Sequence, residues 1–206
     1  MNVERMKVVD AASAMIRMRP DIAEGAVVRG AFGVQCFRKN HSIRDGVYHR
    51  KGSDILYGLL WEDNMDFKDH NLIVNTGLTY LVGSALIAVT VDTTWFVGLT
   101  DNSPTVVAAD TLASHSGWVE FTEYDEVNRQ AWVGVAGSAG VVTNAASPAT
   151  FTINAAGGGL GGAFLAGVNT GTSGTLFSGK ALTGGNRVVA DNDVVQVTYV
   201  VTITST

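Results

Sequence analysis

A series of short β-forming runs, filling the chain after Trp132, constrains the fold more than any other feature. Gly, Ser and Asn separate the runs, which cover residues 132–135, 140–144, 149–154, 162–168, 175–178, 186–189 and 193–204. Short strands of this number and spacing, joined by small turn residues, are typical of an antiparallel β-sandwich or jelly roll. We therefore predict a mainly β protein of that class.

The last run, residues 193–204, predicts which side chains enter the core. Its alternation of apolar and polar residues is the cleanest in the chain and has the period of a half-buried strand. One face carries Val195, Val197, Tyr199, Val201 and Ile203, and the other carries Gln196, Thr198, Thr202 and Thr204. From residue 95 onward we expect one sandwich with Trp95, Phe121, Phe151, Phe164 and Tyr199 in its core.

A further strand is predicted over residues 25–39. Val28, Phe32, Val34 and Cys36 share one face of it, while Arg29, Gln35 and Phe37 share the other. Cys36 is the single cysteine, so an intramolecular disulfide is excluded. Its place on the apolar face predicts a buried, unreactive thiol.

The first twenty residues have helical spacing. Apolar side chains recur at Val3, Met6, Val9 and Ile16, and Pro20 ends the pattern. An isolated helix of this length is marginal in water, so the apolar stripe must be buried against something. It either packs on its own domain or lies as an arm on another polypeptide. We predict the second, with these four residues as the partner-binding site.

Residues 71–91 contain no charged side chain, and the stretch is long enough to be tested as a membrane span. Its Asn, Thr, Gly and Ser residues, without flanking Lys/Arg asymmetry, argue against one. We predict a buried strand and then one short helix near 76–88, capped by Thr76. Leu78, Leu81, Val82, Ala85 and Leu86 would share its apolar face.

These observations divide the chain into three segments. Residues 1–24 form an N-terminal helical arm, and residues 25–92 form a β-rich extension with the short helix. Residues 93–206 form the jelly-roll-like β-sandwich. Within the last segment, residues 110–115 are expected to make one capped helical turn, and residues 118–122 a strand.

Several motifs suggest chemistry. Gly157, Gly159 and Gly162 satisfy GxGxxG, but a strand-like run follows where a dinucleotide site needs a helix. Ser114 and His115 are adjacent on one turn, so a catalytic triad is hard to build from them. An inter-strand loop and a structural turn are the readings we prefer.

Metal and glycosidase chemistry are also poorly supported. The four histidines show no ligand spacing, and Asp191-Asn192-Asp193 lacks the Gly and Glu of a calcium loop. We expect that tripeptide to make the turn into the last strand through side-chain hydrogen bonds. Glu120 with a nearby acid could supply a carboxylate pair, but it lies beside a turn. We predict no catalytic residue, no cofactor and no metal.

Charge limits the classes of partner. The net charge is −5, and charged residues make up only 16% of the chain. Eleven of the 14 Lys/Arg precede residue 71, where ten acids balance them. A nucleic-acid binder would normally show a basic patch, so we predict none. The shortage of charge indicates that protein partners cover part of the surface.

The same region carries a resemblance. The strings WFVGL (95–99), ADTLASHSGW (109–118), RQAW (129–132), SPATFTIN (147–154), GAFL (162–165), GTSGTLFS (171–178) and DVVQVTY (193–199) occur in this order. They resemble a family of structural proteins from tailed-bacteriophage virions, which includes capsid cement or decoration proteins of jelly-roll type. The resemblance covers roughly the last two-thirds of the chain.

This resemblance implies a non-enzymatic function outside the phage head. The expected partner is the major capsid protein or another virion protein, and the expected location is the capsid exterior, with host cytoplasm during assembly. We also expect a homo-oligomer, a trimer rather than a dimer. The alternative is a tail, neck or fibre component that contacts the host surface.

Overall fold

The computed structural model describes residues 26–41, 47–49, 56–63, 71–87, 92–102, 105–138, 140–154 and 159–205. Two antiparallel β-sheets pack face to face, and one helix lies beside the second sheet. The mainly β, sandwich-like fold predicted from the sequence is therefore confirmed. The predicted helical arm, residues 1–24, lies outside the described residues.

The larger sheet, sheet A, has seven strands. Its strand order is β2-β3-β1-β15-β9-β8, and β10 also pairs with β15. The strands are β1 (Ala26–Lys39), β2 (Val47–His49), β3 (Leu56–Asp63), β8 (Val135–Ala136), β9 (Val141–Thr143), β10 (Ala149–Thr152) and β15 (Val194–Ser205).

The second sheet, sheet B, has six strands in the order β4-β13-β12-β5-β6, and β7 also pairs with β5. The strands are β4 (Leu72–Ile73), β5 (Trp95–Thr100), β6 (Glu120–Phe121), β7 (Gln130–Trp132), β12 (Gly162–Ala166) and β13 (Leu176–Ala181). A separate two-stranded ladder joins β11 (Gly159–Leu160) to β14 (Arg187–Val188).

The core lies between the two sheets. Buried side chains from β1 and β15, such as Phe32 and Tyr199, meet buried side chains from β5 and β12, such as Leu99 and Leu165. Of the expected core aromatics, Phe121, Phe151 and Tyr199 are buried between the sheets, and Trp95 packs on this core while half-buried. Phe164 is also buried, but it belongs to a second cluster with Trp118 on the opposite face of sheet B, so its expected place in the sandwich core is wrong. The alternation in β15 thus predicted its inward face correctly, although Ile203 near the strand end is exposed.

The longest ladder joins the first and last described strands. β1 pairs with β15 from Ala26 opposite Ser205 to Phe37 opposite Val194. Each sheet therefore contains strands from residues 25–92 and strands from residues 93–206, and strands of the two segments are hydrogen-bonded to each other. Cys36 is fully buried on the inner face, as predicted, and burial raises the pKa of its thiol. Phe37 lies on the opposite face of β1 from Cys36, as predicted, and it is buried there beside Tyr57.

Helix α1 (Asn75–Leu86) agrees with the predicted helix in place but not in detail. Val74 precedes its first turn, and no side chain caps it. Thr76 is therefore not the cap; its Oγ1 donates a 2.6 Å hydrogen bond to the Leu176 carbonyl in β13. That bond fastens the helix to sheet B.

The buried side of α1 also differs from the prediction. Gly77 and Gly83 are its buried residues. A side chain at Gly77 would collide with the Phe177 backbone, so glycine permits the helix to approach the sheet closely. Of the predicted apolar face, Leu81 packs on the core, whereas Leu78, Val82, Ala85 and Leu86 are exposed.

Two local predictions after Trp95 were wrong. Residues 110–115 form a tight turn in which Thr111 and Ser114 exchange backbone hydrogen bonds, rather than a helical turn. Of residues 118–122, only Glu120 and Phe121 belong to a strand. Trp118 instead packs on the outer face of sheet B, where it contacts Phe164.

Candidate functional site

The predicted partner-binding residues Val3, Met6, Val9 and Ile16 lie outside the described residues, so their role stays a prediction. The sequence motifs also suggested catalytic or ligand-binding roles for side chains elsewhere in the chain. The contacts of each of these side chains show whether it is free to take such a role.

Arg129 and Glu120 form an ion pair at the edge of sheet B. The guanidinium donates from Nε to Oε1 at 2.8 Å and from Nη2 to Oε2 at 2.7 Å. It also donates to the Val168 and Gly171 carbonyls, and it lies 5.2 Å from the centre of the Phe164 ring. Such a bidentate pair orders the 168–171 loop, and it engages both oxygens of Glu120. Glu120 is thus poorly suited to be a free acid or base of a glycosidase pair.

His115 is held by its neighbour Trp118. The two rings stack with centroids 3.6 Å apart, and Nδ1 lies 3.1 Å from the Trp118 carbonyl. The backbone N–H of Ser114 donates to Thr111 Oγ1 within the turn. These contacts support the structural reading of the segment over a hydrolase triad.

Asp193 makes the turn into β15, as predicted. Its Oδ2 accepts a 2.8 Å hydrogen bond from the Ala190 N–H, and the preceding Asn192 has a positive φ of 66°. The buried carboxylate also pairs with Arg38 through contacts of 2.8 and 2.6 Å. Tyr57 and Asp191 help to line the open cleft beside this pair, which has a volume of about 550 Å³.

Tyr199 carries a polar network inside the core. Its hydroxyl accepts hydrogen bonds from Asn71 Nδ2 at 3.2 Å and from Ser178 Oγ at 3.0 Å. Ser178 lies in β13 and Asn71 directly precedes β4, so these bonds link sheet A to sheet B. Burial raises the pKa of Tyr199 to about 12. Since the hydroxyl is sealed from solvent, this network fixes the packing of the two sheets and offers no reactive group to a ligand.

The GxGxxG motif is split between elements. Gly157 lies outside the described residues, Gly159 begins β11, and Gly162 begins β12. A strand therefore follows the motif, where dinucleotide binding needs the N-terminus of a helix.

The described residues were also examined for metal-binding clusters and for helices that could span a membrane. Among the described residues, no cluster of three or more His, Cys, Asp or Glu side chains could hold a metal ion. The same residues contain no helix both long and apolar enough to span a bilayer.

The outer side of α1 is the strongest candidate for a binding surface. Four apolar residues are exposed there: Leu78 by 40%, Val82 by 59%, Leu86 by 77% and Ile87 by 73%. We call these four residues the α1 surface. They line an open groove of about 450 Å³ together with Thr79 and Gly83. A neighbouring groove of about 660 Å³ separates α1 from residues 168–175. The α1 surface can bind apolar side chains, and the neighbouring groove adds the polar side chains of Tyr80 and Asp92.

The sequence grouped Leu78, Val82 and Leu86 on one apolar face with Leu81 and Ala85, but it did not include Ile87 and it predicted a buried helix. α1 contains no charged residue, so no polar face marks which side meets water. The glycines at 77 and 83 were the available signal, because close approach of two backbones requires small residues.

No protein-family model matches the sequence, and a search of curated proteins finds no significant match.

Proposed function

We propose that this protein is a structural component of a tailed-phage virion that binds the outer surface of the head and stabilises the shell. The observation that carries the proposal is the ordered series of sequence strings between residues 95 and 199, which resembles virion structural proteins of the decoration type. The proposed protein is not an enzyme, and its partner is the major capsid protein or another virion protein.

The packing of the chain supports this function physically. A cement protein has to be rigid, because a loose clamp would lose its binding free energy to conformational entropy. The β1–β15 ladder and the buried Tyr199 network give the sandwich that rigidity. The α1 surface offers apolar contact area without charge, which supports contact with a protein partner.

Decoration also requires many weak contacts to act together. Symmetry-related copies on a shell add their contributions, so each contact can be modest. We propose that the protein forms a homo-oligomer, with a trimer favoured over a dimer. Light scattering at micromolar concentration tests this, because a mass of only 21.6 kDa would contradict a preformed oligomer.

Copy number on purified particles tests the function most directly. Quantitative mass spectrometry should find hundreds of copies per particle, in proportion to the major capsid protein. A dozen copies or fewer would overturn decoration and favour the alternative, a tail, neck or fibre component.

A reconstitution experiment tests stabilisation separately. Heads lacking the protein should disassemble at a lower temperature, and adding the purified protein should restore their stability. Heads that bind the protein but melt unchanged would contradict the cement function.

A further inference from the structure

The α1 surface continues into the neighbouring groove, so the two form one site. The two grooves have three lining residues in common, which are Thr79, Gly83 and Ile87. The four side chains of the α1 surface expose on the order of 400 Å², about the area of the largest apolar patch on an ordinary soluble protein. An apolar patch of this area that opens into a second groove indicates a binding site.

Both walls of the neighbouring groove are held by hydrogen bonds. On one wall, Thr76 fastens α1 to the Leu176 carbonyl at 2.6 Å. On the other wall, Arg129 donates to the Val168 carbonyl at 3.0 Å and to the Gly171 carbonyl at 2.9 Å. A groove that already has its shape before binding loses less conformational entropy when a ligand enters it. The walls therefore favour tight binding of a ligand that fits between them.

Asp92 supplies the charge of this site. Among the described residues that line the two grooves, it alone is charged, and it is half-buried. The Tyr80 hydroxyl donates a 3.3 Å hydrogen bond to the Asp92 carbonyl, and the Tyr80 ring packs edge-on against Trp95. The carboxylate lies so close to Gly167 that a side chain there would meet Oδ2 at 2.5 Å. We call the groove between α1 and residues 168–175 the Asp92 groove.

The side chains of the site discriminate between classes of ligand. A carboxylate in the groove repels the phosphates of nucleic acids and of anionic lipid headgroups. A single acid beside exposed aliphatic side chains is instead matched by a polypeptide that offers apolar side chains and one Lys or Arg. The hydroxyls of Ser173 and Thr175 and the amide of Asn75 also line the Asp92 groove, where they can bond a polypeptide backbone. The site therefore fits a segment of protein.

A second copy of this chain, paired through the same surface, is a poor match for the site. In a two-fold contact each surface meets its own equivalent on the other copy. The two Asp92 carboxylates would then lie on facing surfaces without an opposite charge, and like charges that face each other weaken an interface. The charge of the site therefore favours a different polypeptide.

We propose that the α1 surface and the Asp92 groove together bind a segment of the partner virion protein. This segment presents apolar side chains to Leu78, Val82 and Leu86, and it presents a Lys or Arg side chain to Asp92. The inference rests on the proposed function, which supplies the partner. It adds which surface makes the contact and which chemistry the partner must offer.

Binding of variants to heads that lack the protein tests the apolar part of the site. Val82→Asp places a carboxylate in the middle of the apolar stripe, so it should weaken binding at least about tenfold. Val127→Asp adds the same charge at a residue that is 94% exposed and lines neither groove. This control should bind like the unmodified protein. Equal binding of Val82→Asp and the unmodified protein would overturn the proposal.

Leu86→Ala keeps the test decisive if Val82→Asp does not fold. The Leu86 side chain is 77% exposed, so its truncation should leave the fold intact, as urea denaturation can verify. Binding to heads should still weaken about fivefold, because apolar contact with the partner is lost. Folded Leu86→Ala protein that binds as tightly as the unmodified protein would contradict the proposal.

Asp92→Asn tests the charged part of the site. Removing the carboxylate should weaken binding about two- to fivefold at low salt, the usual range for a partly exposed ion pair. The affinity should also fall less steeply as salt is added, because salt screens the pair in the unmodified protein. Asp125→Asn is the control, since Asp125 is exposed and lines neither groove. Asp92→Asn protein with unchanged affinity and unchanged salt dependence would contradict the ion pair.

Photo-cross-linking identifies the occupant. A benzophenone amino acid in place of Val82 should link to the major capsid protein or another virion protein when decorated heads are irradiated. Mass spectrometry should find a Lys or Arg near the linked apolar residue. A link to another copy of this chain, or to a segment without a basic residue, would overturn the proposal.

The same binding assay separates this inference from the proposed function. If the unmodified protein does not bind heads, the proposed function fails and the inference fails with it. If the unmodified protein binds and the Val82→Asp, Leu86→Ala and Asp92→Asn variants bind equally well, the proposed function stands and only the inference fails.

Discussion

The core around Tyr199 and the α1 surface are both apolar, but they differ in what surrounds them. In the core, Phe32 stacks on Tyr199 with ring centroids 4.2 Å apart, and both side chains are buried. Asn71 and Ser178 donate hydrogen bonds to the buried hydroxyl of Tyr199. On the α1 surface, Leu86 is exposed by 77% and Ile87 by 73%.

The difference separates residues that hold the fold together from residues that can bind. Removing methylene groups from a sealed core costs transfer free energy and leaves a cavity. The same change on an exposed surface leaves no cavity, so it acts mainly on whatever the surface binds. Apolar character alone therefore does not reveal which role a residue has.

The largest expected effect comes from truncating a leucine in the core. Leu99→Ala removes a fully buried side chain of β5 and should lower the free energy of unfolding by about 3–5 kcal/mol. Urea denaturation followed by tryptophan fluorescence measures the change. A loss below about 1 kcal/mol would show that this part of the sandwich is loosely packed.

The second-largest expected effect is a loss of folding stability at alkaline pH. The pKa of Tyr199 is about 12 in the folded chain, against about 10 for an unfolded tyrosine, because burial disfavours the phenolate. The stabilisation is therefore fully present below about pH 10 and is lost as the pH rises toward 12. The expected loss is roughly 2–3 kcal/mol.

Urea denaturation at pH 9 to 12 tests this prediction. Tyr199→Phe should show a shallower decline with pH, whatever its own stability at neutral pH. Tyr124, whose pKa burial also raises to about 12, accounts for a remaining decline. Equal slopes for Tyr199→Phe and the unmodified protein would show that Tyr199 does not control the alkaline transition.

The contact between α1 and sheet B should have a smaller effect. Thr76→Val removes the hydroxyl that donates to the Leu176 carbonyl, and it should destabilise the protein by about 1–2 kcal/mol. Hydrogen exchange should show faster opening of α1 than of β12. Thr79→Val, on the exposed side of the same helix, is the matched control.

The smallest effect is expected on the α1 surface itself. Leu86→Ala makes the same chemical change as Leu99→Ala, yet it should lower the free energy of unfolding by at most about 1 kcal/mol. Denaturation of the two variants side by side measures the difference. A loss equal to that of Leu99→Ala would mean that Leu86 belongs to the core, and the contrast between the regions would fail.

The sequence by itself determined the class of fold and most of the inner face of the sandwich. In β15 every second residue from Val195 to Tyr199 is apolar and buried, because side chains on a strand alternate between its two faces. It also indicated that Cys36 is buried and that residues 191–193 make a turn. These features depend on local backbone geometry, which the alternation of apolar residues and the turn residues indicate directly.

Only the tertiary structure decided which side of α1 is buried and which strands are neighbours. Thr76 looked like a helix cap, but its hydroxyl bonds to Leu176, one hundred residues away in the chain. The pairing of β1 with β15 likewise joins opposite ends of the described chain. Because α1 contains no charged residue, its sequence does not indicate which side faces solvent. The close approach of Gly77 to the Phe177 backbone determines the buried side, and Leu78, Val82 and Leu86 are therefore exposed.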